Sequence, residues 1–216
     1  MIEAVVFDLD GVLLDSEHVW DEVRERLAKE RGGRWHDGAQ RDMMGMSSTE
    51  WSRYMHDTIG LAESPDEINR EVVQRLAAIY RQRLPVVPGA REAVERLAAL
   101  WPLGLASSSN REVIELALEL LGVRQLFHAT VSSEEVARGK PAPDVYLEAA
   151  RRLGVDPSKA AAVEDSRNGI LAAKAAGMRV VAIPNKRFPP GEDALAQADV
   201  VLESPAELTA EAVEPR

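Results

Sequence analysis

Asp8-Leu9-Asp10 places two carboxylates two residues apart at the end of a short apolar run, Ala4-Val5-Val6-Phe7. On an extended chain both would project to one side and Leu9 to the other, so the pair could address one substrate. Taken alone, such a pair is also an ordinary polar exit from a strand. A second acidic pair, Glu164-Asp165, closes another apolar run, Ala160 to Val163. If both runs are strands of one parallel sheet, Asp8, Asp10, Glu164 and Asp165 converge at the same rim. Hard oxygen donors without Cys or His suit magnesium, which keeps several waters and takes few protein ligands beside a substrate phosphate. Glu164-Asp165 could also open a helix, with Asp165 or Ser166 as N-cap, and that role is compatible with metal binding.

An attacking Asp8 would face a phosphate dianion. Two unit charges about 4 Å apart cost on the order of 4 kcal/mol at an effective dielectric near 20, so uncompensated approach is unfavourable. A divalent cation plus one lysine would supply the compensation. Lys140, in Gly139-Lys140-Pro141-Ala142-Pro143-Asp144, follows an apolar run and lies in a loop that its prolines restrict, which lowers the cost of ordering it. A solvated surface lysine is the alternative. Ser107-Ser108-Ser109-Asn110 sits between apolar Leu103-Gly104-Leu105-Ala106 and the helical pattern from Arg111. Hydroxyls at a strand-to-helix turn, with helix N-terminal amides, can cradle an anion, or can simply cap the helix.

The elements that must position these groups alternate. Ala4 to Phe7, Leu103 to Ser109, Phe127 to Ser133, Ala160 to Asp165 and Val180 to Pro184 are short apolar runs ending in small or acidic residues, as buried parallel strands do. Between them lie helical patterns over Gly89 to Leu100, Arg111 to Leu121, Pro143 to Leu153 and Ser166 to Ala176, and Gly122, Gly154 and Gly177 are placed as C-terminal caps. The expected fold is α/β: a Rossmann-like, doubly wound, mostly parallel sheet with helices on both faces, whose ligands gather at the carboxyl ends of the strands. Ser16 to Leu84 breaks the rhythm with helix after helix, at His18 to Arg31, Ser48 to Ile59 and Asp66 to Arg83, and no strand. It is expected to be an inserted all-helical cap domain. The predicted division is a catalytic core of residues 1–15 and 86–216 with a cap of residues 16–85. Residues 206–216 are expected to be a frayed helix or tail.

The chain's 216 residues suffice for a buried core, and 45% hydrophobic with 29% charged residues is the composition of a globular protein. A net charge of −10 disfavours nucleic acid and anionic membrane as partners. The absence of cysteine excludes disulfides, thiolate metal sites and cysteine nucleophiles. No signal peptide or membrane-spanning stretch is read, so the default expectations are a cytoplasmic location and a monomer.

Taken in this order, the four segments resemble the motifs of the haloacid dehalogenase-like hydrolase superfamily, in its branch of beta-phosphoglucomutase and sugar-phosphate phosphatases. Asp8-Leu9-Asp10-Gly11-Val12 is similar to the first motif, Ser107 to the second, Lys140 to the third and Glu164-Asp165 to the fourth. The resemblance implies that Asp8 attacks phosphorus and binds magnesium. Asp10 would protonate the leaving oxygen and then activate water on an aspartyl-phosphate, its backbone carbonyl touching the metal. Ser107 and Lys140 would hold the phosphoryl oxygens, and Asp165 with Glu164 would complete the metal site. Gly11 to Asp15 and Pro85 to Gly89 become cap hinges, while Ser108, Ser109, Asn110, Gly45 and Trp20 become substrate-binding candidates. The expected substrate is a small phosphate ester, a sugar or polyol phosphate. Haloacid dehalogenases lack the second aspartate of the first motif, so that activity is not implied.

A beta-phosphoglucomutase-like mutase must grip a second phosphate with its cap. In place of those mutases' lysine before the cap glycine and arginine three residues after it, this chain has Met44 and Ser48 around Gly45. Trp20 stands where they have a hinge histidine. Both departures favour hydrolysis, although Arg24, Arg41 or Arg53 could be presented from another turn. Met43, Met44, Met46, Trp20 and Trp51 either line a pocket or fill the cap's core, and His18 is expected to have no catalytic duty. A non-catalytic binding module on the same fold is the alternative of another class.

Overall fold

The computed structural model describes residues 1–214. Six strands, β1 (Ala4–Phe7), β2 (Leu103–Ser107), β3 (Phe127–Ser132), β4 (Ala160–Glu164), β5 (Arg179–Ala182) and β6 (Val200–Val201), form one sheet in the order β3-β2-β1-β4-β5-β6. Every pairing is parallel. The chain builds outward from β1 to β3, then returns to the other side of β1 for β4. Strand order therefore reverses at β1, and the crevice at its carboxyl end is where such sheets bind ligands.

Alternation along the strands divides the core. Val5, Phe7, Leu103, Leu105, Ala161 and Val163 face helices α5 (Ala90–Ala98) and α6 (Arg111–Leu121). Val6, Ala106, Ala160, Ala162 and Val180 face α7 (Asp144–Leu153) and α8 (Arg167–Ala175). Both faces are covered, so the strands read as continuous apolar runs. Gly122 and Gly154 end α6 and α7 at φ 76° and 72°, the left-handed conformation that a Cβ disfavours.

Between β1 and α5 the chain forms four helices, α1 (Glu17–Glu30), α2 (Ala39–Met43), α3 (Ser48–Asp57) and α4 (Pro65–Gln82). Ser47 with Glu50, and Ser64 with Glu67, form capping boxes that fix the starts of α3 and α4. Ile68, Val72, Leu76 and Tyr80 recur at helical spacing on α4 and pack with Val19, Val23 and Leu27 of α1 and with Trp51 and Met55 of α3. Truncating Leu76, which is fully buried, to Ala would cost about 2–5 kcal/mol. The two chain passages joining this helical unit to the sheet pair with each other: Asp15 N donates to Pro85 O at 2.8 Å and Val87 N to Leu13 O at 3.0 Å.

Three departures from expectation concern short elements. Helix α2 and strand β6 are too brief to show a periodicity, and a two-residue strand becomes one only by pairing with β5. Over Ala206–Glu214 the chain is a docked segment and not a frayed tail. Thr209 caps α10 (Ala210–Val213), Leu208 and Val213 are buried, and Arg96 Nε donates to Leu208 O at 2.9 Å. The last two residues, 215–216, lie outside the described residues. Among the described residues, no helix is long and apolar enough to cross a membrane.

Candidate active site

Register places the first two carboxylates. Phe7 pairs with Val163, and Asp8 N donates to Val163 O at 3.0 Å, so Asp8 and Glu164 leave β1 and β4 side by side. Both continue the face that carries Val6, Ala160 and Ala162, above α7 and α8. Lys140, from the loop before α7, rises between them. Its Nζ donates to Asp8 Oδ1 at 2.7 Å, to Glu164 Oε1 at 2.6 Å and to Ala106 O at 3.0 Å. Tyr146, in the first turn of α7, adds a hydrogen bond from its hydroxyl to Glu164 Oε1 at 2.6 Å. Lys140 is 7% exposed and Glu164 0%, so this is a buried ion cluster and not a surface pair. Burial alone would draw the ammonium down, but Asp8 and Glu164 outweigh it and hold Lys140 above the usual lysine range.

Glu164's other oxygen accepts from the backbone N–H groups of Asp165 and Ser166 and from Ser166 Oγ. Gly169 makes room for it, because a Cβ there would lie 1.9 Å from the carboxyl carbon. Asp165 differs: its Oδ1 is buried without a hydrogen-bond partner. Gly11, at φ +85°, lets the backbone after Asp10 pass against this carboxylate, where a Cβ would sit 1.8 Å from Oδ2. Burial and the neighbouring charges of Glu164 and Asp8 push Asp165 well above the usual carboxylate range. Burial pushes Asp8 the same way against the pull of Lys140, with Glu164 adding to the rise. Oxygens of Asp8, Glu164 and Asp165 all lie within 4.8 Å of one another. One lysine among these groups leaves negative charge uncompensated, and an all-oxygen set with an orphaned oxygen fits a hard divalent cation. Asp8 and Asp165 are free to hold it, whereas Glu164 is largely committed to Lys140 and its own turn.

Asp10 lines the same cleft as Asp8 and Asp165. Its side chain does not join the acidic cluster, because β1 ends at Phe7 and the chain turns after Asp8, so strict alternation stops there. Instead Asp10 Oδ1 accepts from Ser16 Oγ and from Trp20 Nε1, the latter at 3.2 Å. Its Oδ2 accepts from Ser109 Oγ at 2.7 Å and from Ser107 Oγ at 3.5 Å. Ser107, fully buried, also accepts from Ser109 N at 3.0 Å. Asn110 is turned away from the cleft, its Nδ2 donating to Asn69 Oδ1 of α4 and to Glu134 Oε1.

Sheet rim and helical unit line a common cleft. From the rim it is lined by Asp8, Asp10, Ser108, Ser109, Lys140 and Asp165, and from the helices by Trp20, Met43, Met44, Gly45, Met46 and Trp51. The methionines and tryptophans thus line the pocket, and Met43 and Trp51 are also core. Ser166, the N-cap of α8, and Asn168 reach the cleft as well. His18 lies outside it, its Nδ1 4.0 Å from Asp15. Gly45, at φ +74°, approaches Asn168, and Ser108 Oγ donates to Gly45 O at 3.5 Å.

Four residues near the site carry no motif: Glu17, Arg24, Tyr146 and Ser16. Glu17, Trp20 and Arg24 recur at helical spacing on α1, a signal that could have placed them on one face. Burial and the charge of Asp10 push the Glu17 carboxyl up to about 7. Burial draws the Arg24 guanidinium down to about 10, against the pull of Glu17 and Asp10.

A family model described as haloacid dehalogenase-like hydrolase matches residues 2–177. Hexitol phosphatase B of Escherichia coli (strain K12) is 35% identical, over 97% of this chain and 95% of that one. Validoxylamine A 7'-phosphate phosphatase of Streptomyces hygroscopicus subsp. limoneus is 35% identical over 96% of each. Among solved structures, CbbY from Rhodobacter sphaeroides in complex with xylulose-(1,5)bisphosphate superposes with a TM-score of 0.88, at 28% identity over 99% of each chain.

Proposed function

The chain belongs to the haloacid dehalogenase-like hydrolase family, and from that premise we propose that it is a magnesium-dependent phosphatase of small phosphate monoesters, sugar or polyol phosphates, acting through an aspartyl-phosphate on Asp8. The observation that carries this reading is the buried cluster of Asp8, Lys140, Glu164 and Asp165 at the carboxyl end of β1 and β4. Two relatives that cover nearly the whole chain are by name a hexitol phosphatase and a validoxylamine A 7'-phosphate phosphatase, which supports the substrate class.

Asp8 and Asp165 would hold the cation, which when bound supplies positive charge to a phosphoryl group and to Asp8. Lys140 adds a second positive charge beside Asp8 and, by donating to its Oδ1, holds the attacking carboxylate in place. Phosphoryl transfer asks mainly for such positioning and charge. Asp10 must give a proton to the leaving oxygen and later take one from water. Its partners assign the atom. The Trp20 indole N–H can only donate, so it keeps Oδ1 an acceptor. Serine hydroxyls donate or accept, so Oδ2 can carry the proton while Ser109 turns to accept it. Ser107 would act by orienting Asp10 and Ser109, and Ser108 and Ser109, which line the cleft, would be the serines nearest a bound phosphoryl group. Residues 16–85 form the cap, which carries the leaving-group side of the cleft, and residues 1–15 with 86–216 form the core.

A mutase would need a cationic grip for a second phosphate, and the cleft's cap side carries Arg24 beside the acidic Glu17. That composition favours hydrolysis. Incubation with magnesium and a panel of phosphorylated sugars and polyols should release inorganic phosphate, and acid quenching with a labelled substrate should trap label on the protein. Asp8→Asn should abolish both. Phosphate release undiminished in Asp8→Asn would overturn the proposal.

A further inference from the structure

Among the described residues, Lys140 and Arg24 are the two cations lining the cleft. Lys140 is committed to Asp8 and Glu164. Arg24 is 6% exposed, and its Nε is buried without a hydrogen-bond partner. The guanidinium lies 4.7 Å from the ring centroids of both Trp20 and Trp51, whose own rings meet edge to face. Those faces hold the cation in place but offer no oxygen acceptor; the buried Nε is closed to a ligand, and the exposed part of the guanidinium is what a molecule in the cleft can meet. Glu17 lies two turns earlier on the same helix and lines the same cleft. Helix α1 therefore presents a donor-only group and a carboxyl acceptor opposite the rim, with Trp20 between them in sequence.

A hydroxyl both donates and accepts, so hydroxyls spaced along a carbon chain can meet both groups, which lie about two helical turns apart on one cleft wall. A second anionic group cannot. It would sit among Asp10 and Glu17 in a cleft whose lining already sets Asp8, Asp10, Glu17 and Asp165 against two cations. Resting on the phosphatase reading, we propose that Arg24 and Glu17 form the subsite for hydroxyl groups of the leaving alcohol, and that Arg24 determines specificity for polyhydroxylated phosphate esters.

The test compares a hexitol phosphate with p-nitrophenyl phosphate, whose leaving group has no aliphatic hydroxyl. Arg24→Met should lower the ratio of kcat/KM for the hexitol ester over the aryl ester roughly 10- to 100-fold, chiefly through KM, because a buried charged hydrogen bond is lost. Arg24→Lys, which keeps the charge without the fork, should fall between. Binding gives a second readout: the hexitol phosphate should quench tryptophan fluorescence of the Asp8→Asn protein, and adding Arg24→Met should abolish the quench. An unchanged ratio with an unchanged quench overturns the subsite. So does a wild-type preference for a sugar bisphosphate that Arg24→Met removes, since Arg24 would then hold an anion. Hydrolysis of the aryl ester with neither turnover nor binding of hexitol phosphate would sink the subsite and spare the phosphatase. Arg24-dependent binding of hexitol phosphate without turnover of either ester would do the reverse.

Discussion

Replacing Lys140 by Met tests the arrangement on which the site depends. Its Nζ lies 2.7 Å from Asp8 and 2.6 Å from Glu164, and all three side chains are almost fully buried. At an effective dielectric near 20 each pair attracts by on the order of 6 kcal/mol. Desolvation takes back much of that gain, and removing one partner of a buried pair costs about 3–5 kcal/mol because the other charge is left unpaired. Lys140→Met should therefore lose about 3–5 kcal/mol of unfolding free energy at pH 8 in EDTA, measured by urea denaturation. The deficit should depend on pH with a definite sign. The Lys140 ammonium is held above its ordinary value, so its contribution in the wild type is fully present well below that value and constant from pH 6 to 8. In the variant, Asp8 loses the cation that opposes its burial and binds a proton still more tightly folded than unfolded. Lowering the pH toward 6 then recovers up to about 1.4 kcal/mol per unit for each proton taken up. Millimolar magnesium should also narrow the deficit, since a cation on Asp8 and Asp165 stabilises the folded chain by mass action. A loss below about 1 kcal/mol, or a deficit flat across pH 6–8 in EDTA, would refute the argument that Lys140 neutralises this cluster.

Other perturbations probe separate parts of the site. Glu17→Gln should raise stability by roughly 1–3 kcal/mol at pH 8 without magnesium and by almost nothing at pH 4.5, because a carboxyl raised to about 7 penalises the fold only once the pH climbs above its unfolded value; denaturation at the two pH values checks this. Gly11→Ala forces a Cβ into the Asp165 carboxylate at a positive φ, so it should cost at least about 1–3 kcal/mol and abolish phosphatase activity, read by thermal unfolding and phosphate release. Trp20→Phe keeps the aromatic packing but removes the N–H that Asp10 accepts, and should lower kcat roughly tenfold with a smaller change in KM. Activity removed by EDTA should return with magnesium and not with calcium, whose preference for more and longer oxygen contacts two free carboxylates cannot meet.

Much of this architecture was legible because strand runs and acidic residues coincide. Ala4-Val5-Val6-Phe7 before Asp8 and Ala160-Ala161-Ala162-Val163 before Glu164 each announce a buried strand and its exit, and parallel pairing turns two distant exits into neighbours. Lys140 could be placed by charge balance together with its position in a proline-restricted loop after a strand run. What escaped reading depends on geometry finer than alternation. Asp10 leaves the acidic cluster because the chain turns immediately after Asp8, and two residues of strand spacing cannot reveal where a strand stops. Asn110 and Asn69 meet only once α4 lies against the turn before α6, a contact with no local sequence signal.

On the proposed reading, Arg24 would be where the helices between β1 and α5 turn generic phosphoryl chemistry into selectivity. Among the rim carboxylates and Lys140, each group is balanced by another or by the cation that the cluster fits, so little there depends on the leaving alcohol. On α1 the balance is incomplete: a guanidinium is held against two indoles with a nitrogen unpaired, and a carboxyl is raised toward neutrality beside it. On the proposed reading, a molecule of matching donors and acceptors in the cleft would pair the parts of these groups that face it. The binding energy so released is spent at the cap, away from phosphorus. A substitution at Arg24 should therefore change which ester is chosen far more than how fast a bound phosphoryl group is transferred.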